Sequence, residues 1–299
     1  MASDAHVVLV DPAEGAERYV RERLAHLERR WSRFLPDSDV SRLNTTAGGL
    51  VLVSPDTIVL LDTMKEAWRM TEGSYDPTML AAIIAAGYST SVDGSGRRSR
   101  PVSRPSGGHT IGDVAIDPAT TAVLVPPGVG LDPGGIGKGL AADMIVTELL
   151  ASGTAGALVG VGGDLAAAGT PPTTAGWHVA VEHPLDSSRG LATLALGAGG
   201  VATSSTVSRS WMKDGDRRHH ALDPLTQTCS ATDLAAVTVV ARAGWEAEAH
   251  ATSALLGGSE HVLDYLDRYG LEGVATTLDG TSVASPALRG AGHNERNVA

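Results

Sequence analysis

The chain holds a single cysteine, Cys229, in 299 residues. One thiol excludes a disulfide framework and a cysteine-ligated metal cluster, and it suits a reducing compartment. Long apolar runs are absent too: nothing approaches the roughly 20 residues of a membrane-spanning helix, and no basic segment followed by an apolar stretch and a cleavage site opens the chain. We therefore expect no transmembrane segment and a cytoplasmic location for the chain as given, the alternative being an exported form whose leader it lacks. Positive charge is in short supply, 23 Lys and Arg against 34 Asp and Glu, for a formal net charge of −11. This argues against a nucleic-acid partner, and an anionic ligand would need local help from a metal ion, helix termini or a few arginines. Internal repeats and separable linkers are missing as well, so the 299 residues are read as one domain or two closely joined lobes.

What the sequence has in abundance at one place is glycine. Residues 131–143 read Leu-Asp-Pro-Gly-Gly-Ile-Gly-Lys-Gly-Leu-Ala-Ala-Asp, with four glycines at the entrance of an expected helix. Without side chains in the way, backbone groups can approach a ligand closely, and the amino end of a helix favours negative charge. That is the character of a phosphate site. The two common phosphate signatures nevertheless fail. Gly139 follows Gly137-Lys138 where a P-loop needs Ser or Thr, position 132 is not glycine, and Leu165 replaces the last glycine of a dinucleotide fingerprint over residues 160–165. A different phosphate chemistry is implied.

Along the chain, a strand is expected over 6–10, with Asp11-Pro12 as cap and first-turn proline of a long helix whose apolar side carries Tyr19, Leu24, Leu27 and Trp31. Ser41-Arg42-Leu43-Asn44 reads as a polar turn. Helices are expected over 55–68 and 78–86, and a hairpin pairs 114–116 with 122–125 ahead of a helix over 138–150. A sheet-rich second half follows, with short strands from 157 to 196, a β-branched strand over 235–241, helices over 245–256 and 260–269, and a hairpin around Asp279-Gly280. Residues 89–108 read as a mobile surface loop without chemistry, Arg217-Arg218-His219-His220 as an exposed basic patch, and the end after Pro286 as a ragged tail. Isolated helices and short strands without a regular βαβ series imply an α+β fold, helices on largely antiparallel sheet, with the ligand cleft at the glycine-rich segment.

The order of several polar segments is more specific than any one of them. They are Trp31-Ser32-Arg33-Phe34 with Pro36-Asp37-Ser38-Asp39 and Ser41-Arg42-Leu43-Asn44, then Tyr75-Asp76-Pro77-Thr78, the glycine-rich 131–139, Gly162-Gly163-Asp164, Ala202-Thr203-Ser204-Ser205, and His220-Ala221-Leu222-Asp223-Pro224. In this order, from Met1 to about Gly258, the chain resembles the ApbE family of FAD:protein FMN transferases. The resemblance implies a Mg²⁺-dependent transferase that moves FMN from FAD to a threonine hydroxyl of a target flavoprotein and releases AMP. It makes His220 the catalytic base, a role that suits a side chain whose pKa lies near working pH. Met1, Phe34, Ser74, Tyr75 and Asp76 would border the flavin and adenine, and Asp132 would help bind FAD. Read alone, Tyr75 would be a core aromatic and Asp76 a helix cap. Lys138 is read as approaching the phosphates or as a solvent-facing helix residue, and Gly163 and Asp164 as shaping a turn near the site rather than performing chemistry.

For the metal, the resemblance implies the backbone carbonyl of Gly135 together with Glu248 and Thr252. Mg²⁺ prefers oxygen ligands, and positions i and i+4 of a helix project from one face. The chain also departs from the pattern of the family it resembles. Met1-Ala2-Ser3 stands for the usual Met-Gly-Thr, Phe34 for a common Tyr, Gln227 for a glycine, and Glu248 for an Asp. Two kinds of rival function follow from these readings: an FAD-binding carrier, redox flavoprotein or FAD diphosphatase, and a degenerate, non-catalytic member of the family.

Overall fold

The computed structural model describes residues 3–46, 48–102 and 108–289. Met1 and residues 290–299 of the expected tail lie outside the described residues, as do 103–107 of the expected loop.

The frame is a seven-stranded sheet. Its strands, in spatial order, are Ala5–Val10, Gly156–Val161, Asp164–Gly169, Gly199–Ser205, Leu234–Ala241, Glu272–Thr277 and Ser282–Ala284, and every neighbouring pair is antiparallel. The helices are α1 (Ala16–Trp31), α2 (Asp39–Thr45), α3 (Pro55–Met70), α4 (Leu80–Ala86), α5 (Gly137–Ala151), α6 (Gly244–Leu256) and α7 (Val262–Arg268). On one face of the sheet, α5 packs on the second and third strands and α6 on the fourth and fifth. The other face is covered by a two-stranded ribbon, Trp177–His183 paired with Asp186–Leu196. Covering both faces explains why the strand Gly156–Val161 is buried throughout. Its Ala157 and Val159 join Ile145 and Leu149 of α5, while Leu158 joins Trp177 and Val179 of the ribbon. The ribbon strand Trp177–His183 has only one covered face and alternates buried with exposed.

A second core lies beyond α5, where Leu140 and Ala141 meet Leu27 and Trp31 of α1, Val40 and Leu43 of α2, and Leu61 and Met64 of α3. Its far side is a three-stranded antiparallel sheet of Leu50–Leu52, Ala122–Leu124 and Ala115–Asp117. Caught between two cores, α5 has no polar stripe along its length. Arg23 ties the helices at this junction, bonding Asp56 of α3 at 2.6 and 2.8 Å and Glu148 of α5 at 2.8 Å. Among the described residues no helix is long and apolar enough to cross a membrane.

The α+β architecture agrees with the expectation from sequence, but several local readings do not. Helix α1 starts at Ala16 rather than at Asp11-Pro12, because Asp11 (φ 44) and Gly15 (φ 78) turn the chain left-handed out of the first strand. Tyr19 lies off the buried stripe, 39% exposed, and its hydroxyl donates to Glu148 at 2.7 Å. Residues 41–44 are helical, not a turn. Ser38 caps α2 by accepting from Ser41 N, and the fully buried Asp39 carboxylate accepts from Ser54 N at 2.8 Å and Thr57 Oγ1 at 2.9 Å. These polar residues satisfy one another inside the fold instead of facing water. The described part of 89–108 is tied down at its base, where Ser91 N donates to Arg97 O and Ser99 N to Ser89 O. The chain after Pro286 also stays attached as far as it is described, with Leu288 packed against the ribbon-side core.

Candidate functional site

The amino ends of α5 and α6 cross at close range. A Cβ on Gly139 would lie 2.3 Å from the carbonyl oxygen of Gly244, so only glycine permits the crossing. Each helix then caps the other. Asp143 of α5 accepts from Gly244 N and Trp245 N at 2.8 and 2.9 Å, and Glu248 of α6 accepts from Gly139 N at 2.8 Å. Carboxylates at helix amino ends are favoured by the unpaired N–H groups and the helix dipole. Burial pushes the Asp143 carboxyl up to about 6 against these donors. Part of the glycine-rich segment thus serves packing between helices, and the amide of Gly139 is taken by a carboxylate of the protein.

Beside this crossing lies a cavity of about 250 Å³. Its wall brings together Phe34, Ser74, Tyr75, Asp76, Asp132, Gly135, Lys138, His220, Glu248 and Thr252. These are the residues expected from sequence, with Met1 alone outside the described residues. Lys138 is no solvent-facing residue: its ammonium pairs with Glu248 and lies 2.5 Å from Asp164 Oδ2. Both carboxylates are nearly inaccessible, at 3% side-chain exposure. Burial pushes Glu248 upward, opposed by the charge of Lys138. Burial alone would lower Lys138, but the two carboxylates outweigh it and hold the ammonium charged. Thr252 is 3.0 Å from Ser204 Oγ, and a Cβ built on Gly135 would lie 3.7 Å from Thr252 Oγ1. The three expected metal ligands thus line one cavity, with Gly135 close to Thr252. Asp76 accepts from both Thr78 N and Thr78 Oγ1 at 2.8 and 2.7 Å, which fixes the turn before α4. Tyr75 is buried beneath Gly135 with its hydroxyl unpartnered among the described residues.

His220 follows a hairpin of Ser210–Lys213 with Asp216–His219 and lines the same cavity. The expectation of an exposed basic patch fails here: Arg217 is exposed, but Arg218, His219 and His220 are half-buried against the hairpin. Burial, with help from the nearby charge of Arg209, lowers His220 to about 4, so its imidazole is neutral at neutral pH. Its Nδ1 lies 3.4 Å from the carbonyl oxygen of Arg209. With Nδ1–H donating there, the Nε2 lone pair is free to accept a proton.

The ApbE family model matches residues 1–275. This chain belongs to the ApbE family. Among its relatives, an FAD:protein FMN transferase of Escherichia coli is 31% identical over 157 residues, covering 52% of this chain and 45% of that protein. The FAD:protein FMN transferase of Rhodobacter capsulatus is 26% identical over 292 residues, covering 96% and 55%. The chain thus spans about half the length of these curated relatives. In three dimensions it superposes on the ApbE protein of Thermotoga maritima with a TM-score of 0.80 at 24% identity, covering 96% of this chain and 94% of that one. For the apo form of the flavinyl transferase ApbE of Pseudomonas stutzeri the TM-score is 0.75 at 23% identity, over 99% and 98%. These superpositions establish the ApbE fold.

The structure accounts for one departure from the ApbE pattern directly. Gln227 stands in place of a glycine at φ 56, a left-handed conformation in the turn that follows Asp223, so the usual glycine there answers a backbone demand. The roles of several cavity residues were not legible from sequence. Asp164 does more than shape the Gly162-Gly163 turn, since it joins the Lys138 cluster and accepts from Thr203 N at 3.1 Å. Arg33 is 5% exposed, pairs with Asp132 at 3.3 Å, and sits between the rings of Phe34 and Tyr88, 4.2 and 4.8 Å from their centroids. Tyr88 stacks in turn on Trp211. Ser91, Asp93 and Arg97, from the loop read as free of chemistry, also line the cavity. An arginine next to an aromatic in the Trp31–Phe34 segment was the one available hint of this wall.

Proposed function

We propose that this ApbE-family protein is a Mg²⁺-dependent FAD:protein FMN transferase acting on a threonine of an acceptor flavoprotein. The observation that carries the reading is the convergence, in one cavity, of a neutral histidine with a buried acidic corner rich in oxygen donors. The corner fits a hard divalent cation. Two buried carboxylates, Glu248 and Asp164, share the ammonium of Lys138, and the hydroxyls of Thr252 and Ser204 also line the cavity. Glu248, Thr252 and the Gly135 carbonyl would hold Mg²⁺, with Asp164 adding negative charge behind them. When bound, the ion would neutralise charge on the diphosphate of FAD.

The protein's own residues have a limited task, since phosphoryl transfer rests on positioning and electrostatics. The aromatic wall and the Ser74–Asp76 turn would seat the dinucleotide. The acceptor threonine oxygen forms a bond to the FMN-side phosphorus as the bond from that phosphorus to the bridging oxygen breaks, and AMP leaves with the bridging oxygen. The proton of the threonine hydroxyl passes to Nε2 of His220, held by its Nδ1 contact to Arg209. Incubation with FAD, Mg²⁺ and a candidate acceptor should release AMP and add the mass of FMN to one threonine. His220→Asn should bind FAD normally while transfer falls by about 10² to 10⁴. Undiminished transfer in that variant removes His220 from the mechanism. AMP and FMN released without any acceptor modification would instead make the protein an FAD hydrolase.

A further inference from the structure

Among the described residues, four Lys and Arg side chains line the cavity. Three of them are committed to carboxylates: Arg33 to Asp132, Lys138 to Asp164 and Glu248, and Arg97 to Asp93 at 3.9 Å. The fourth, Arg209, is half-buried, and among the described residues its guanidinium has no carboxylate or hydrogen-bond partner. In a chain of formal charge −11, with acidic side chains in the same wall, an unpaired guanidinium facing a cavity is a position kept for an anion from outside.

Its place is fixed by the turn that precedes it. Ser205 Oγ donates to Ala235 O at 2.9 Å and accepts from Val207 N and Ser208 N at 3.1 and 3.2 Å, while Thr206 Oγ1 donates to Leu234 O at 2.8 Å. Residue 209 therefore leaves a turn anchored on the central sheet, and its carbonyl meets Nδ1 of His220. We propose that Arg209 is a binding residue for the diphosphate of the dinucleotide, its guanidinium bonding the non-bridging phosphate oxygens beside His220. The assignment rests on the flavin-transfer reading and adds to it. One residue then serves both reactants, orienting the imidazole through its main chain and holding the phosphate through its side chain. The charge of Arg209 also adds to burial in opposing protonation of His220.

The test compares FAD with riboflavin, which carries the flavin without phosphate. Affinities are measured for both by fluorescence titration with wild type, Arg209→Ala and Arg209→Lys, each checked for folding by its thermal melt. Loss of a charge-assisted pair to phosphate should weaken FAD by about 10- to 100-fold in Arg209→Ala, with riboflavin binding unchanged. Arg209→Lys, which keeps the charge but not the planar fork, should recover part of the loss, and it carries the comparison should Arg209→Ala fail to fold. In the alanine variant the acid limb of the pH profile for FAD turnover should also move to higher pH. Equal losses for FAD and riboflavin, undiminished FAD binding or an unmoved acid limb each overturn the assignment. A wild-type protein that binds neither flavin overturns the transferase reading itself, a result separable from failure of the Arg209 assignment.

Discussion

Gln227 holds a backbone angle of φ 56 that a side chain with a Cβ adopts at about 1–2 kcal/mol above a right-handed one. The residue is exposed, its backbone amide donates to Asp223 O at 2.8 Å, and among the described residues its side chain makes no hydrogen bond. Gln227→Gly should raise stability by about 0.5–1 kcal/mol, the strain relieved less the entropy that glycine adds to the unfolded chain, read as a higher denaturation midpoint. A lower midpoint would mean that the glutamine side chain contributes an interaction of its own. At this scale the sequence was informative wherever a residue belongs to a short contiguous motif. His220, Asp76 and Asp132 could be named because their neighbours in sequence are also their neighbours in space. Asp164 and Arg33 stand in such motifs too, but their pairings could not be read, because the partners Lys138 and Asp132 lie elsewhere in the chain and no local pattern records the contact.

Helices α5 and α6 were both legible from their apolar stretches and closing glycines, but their mutual capping was not, because each cap is supplied by the other helix. This gives Glu248 two roles that substitution can separate. Its Oε2 accepts from Gly139 N at 2.8 Å, and its charge belongs to the corner that would hold Mg²⁺. Glutamine keeps an acceptor for the Gly139 amide while removing the charge, whereas aspartate keeps the charge but is shorter by one methylene. Glu248→Gln should therefore lose the stabilisation that added Mg²⁺ confers, together with metal-dependent turnover of FAD, while its own melt falls by the loss of the buried ion pair with Lys138. Glu248→Asp should keep the Mg²⁺ response and melt lower by about 0.5–2 kcal/mol, the value of a lost helix cap. An unaltered Mg²⁺ dependence in the glutamine variant would show that Glu248 is not a ligand. The misplaced start of α1 has a related cause. Asp11-Pro12 has the composition of a helix start, but the left-handed turns at Asp11 and Gly15 are set by how the first strand must leave the sheet.

On the scale of the whole molecule, the pattern of short strands and isolated helices was enough to give an antiparallel α+β fold, since each strand needs a covered face and each helix a stripe to cover it with. The identity of neighbours was not readable: the sheet places Ala5–Val10 beside Gly156–Val161, a pairing between segments far apart in sequence. The same long-range assembly buries histidines that a sequence would leave titrating normally. His250, on α6 two residues from both Glu248 and Thr252, is 1% exposed, with Nδ1 2.8 Å from Tyr265 Oη and Tyr269 against its ring. Burial lowers it to about 4, against the ordinary 6.5. Between those two values the unfolded chain binds a proton at this residue and the folded chain does not. Its contribution to stability is therefore complete above about pH 6.5 and falls as pH drops toward 4. Other buried groups shift in both directions, Asp143 upward among them, so the melting curve of the wild type alone would mix their effects. Comparison with His250→Gln, which keeps a polar group near Tyr265, cancels the groups common to both proteins. The stability difference, wild type minus variant, should be largest near neutral pH and shrink steadily between pH 6.5 and 4. A difference independent of pH over that range would show that the imidazole titrates as freely in the fold as in water, and that α6 and α7 do not close over it.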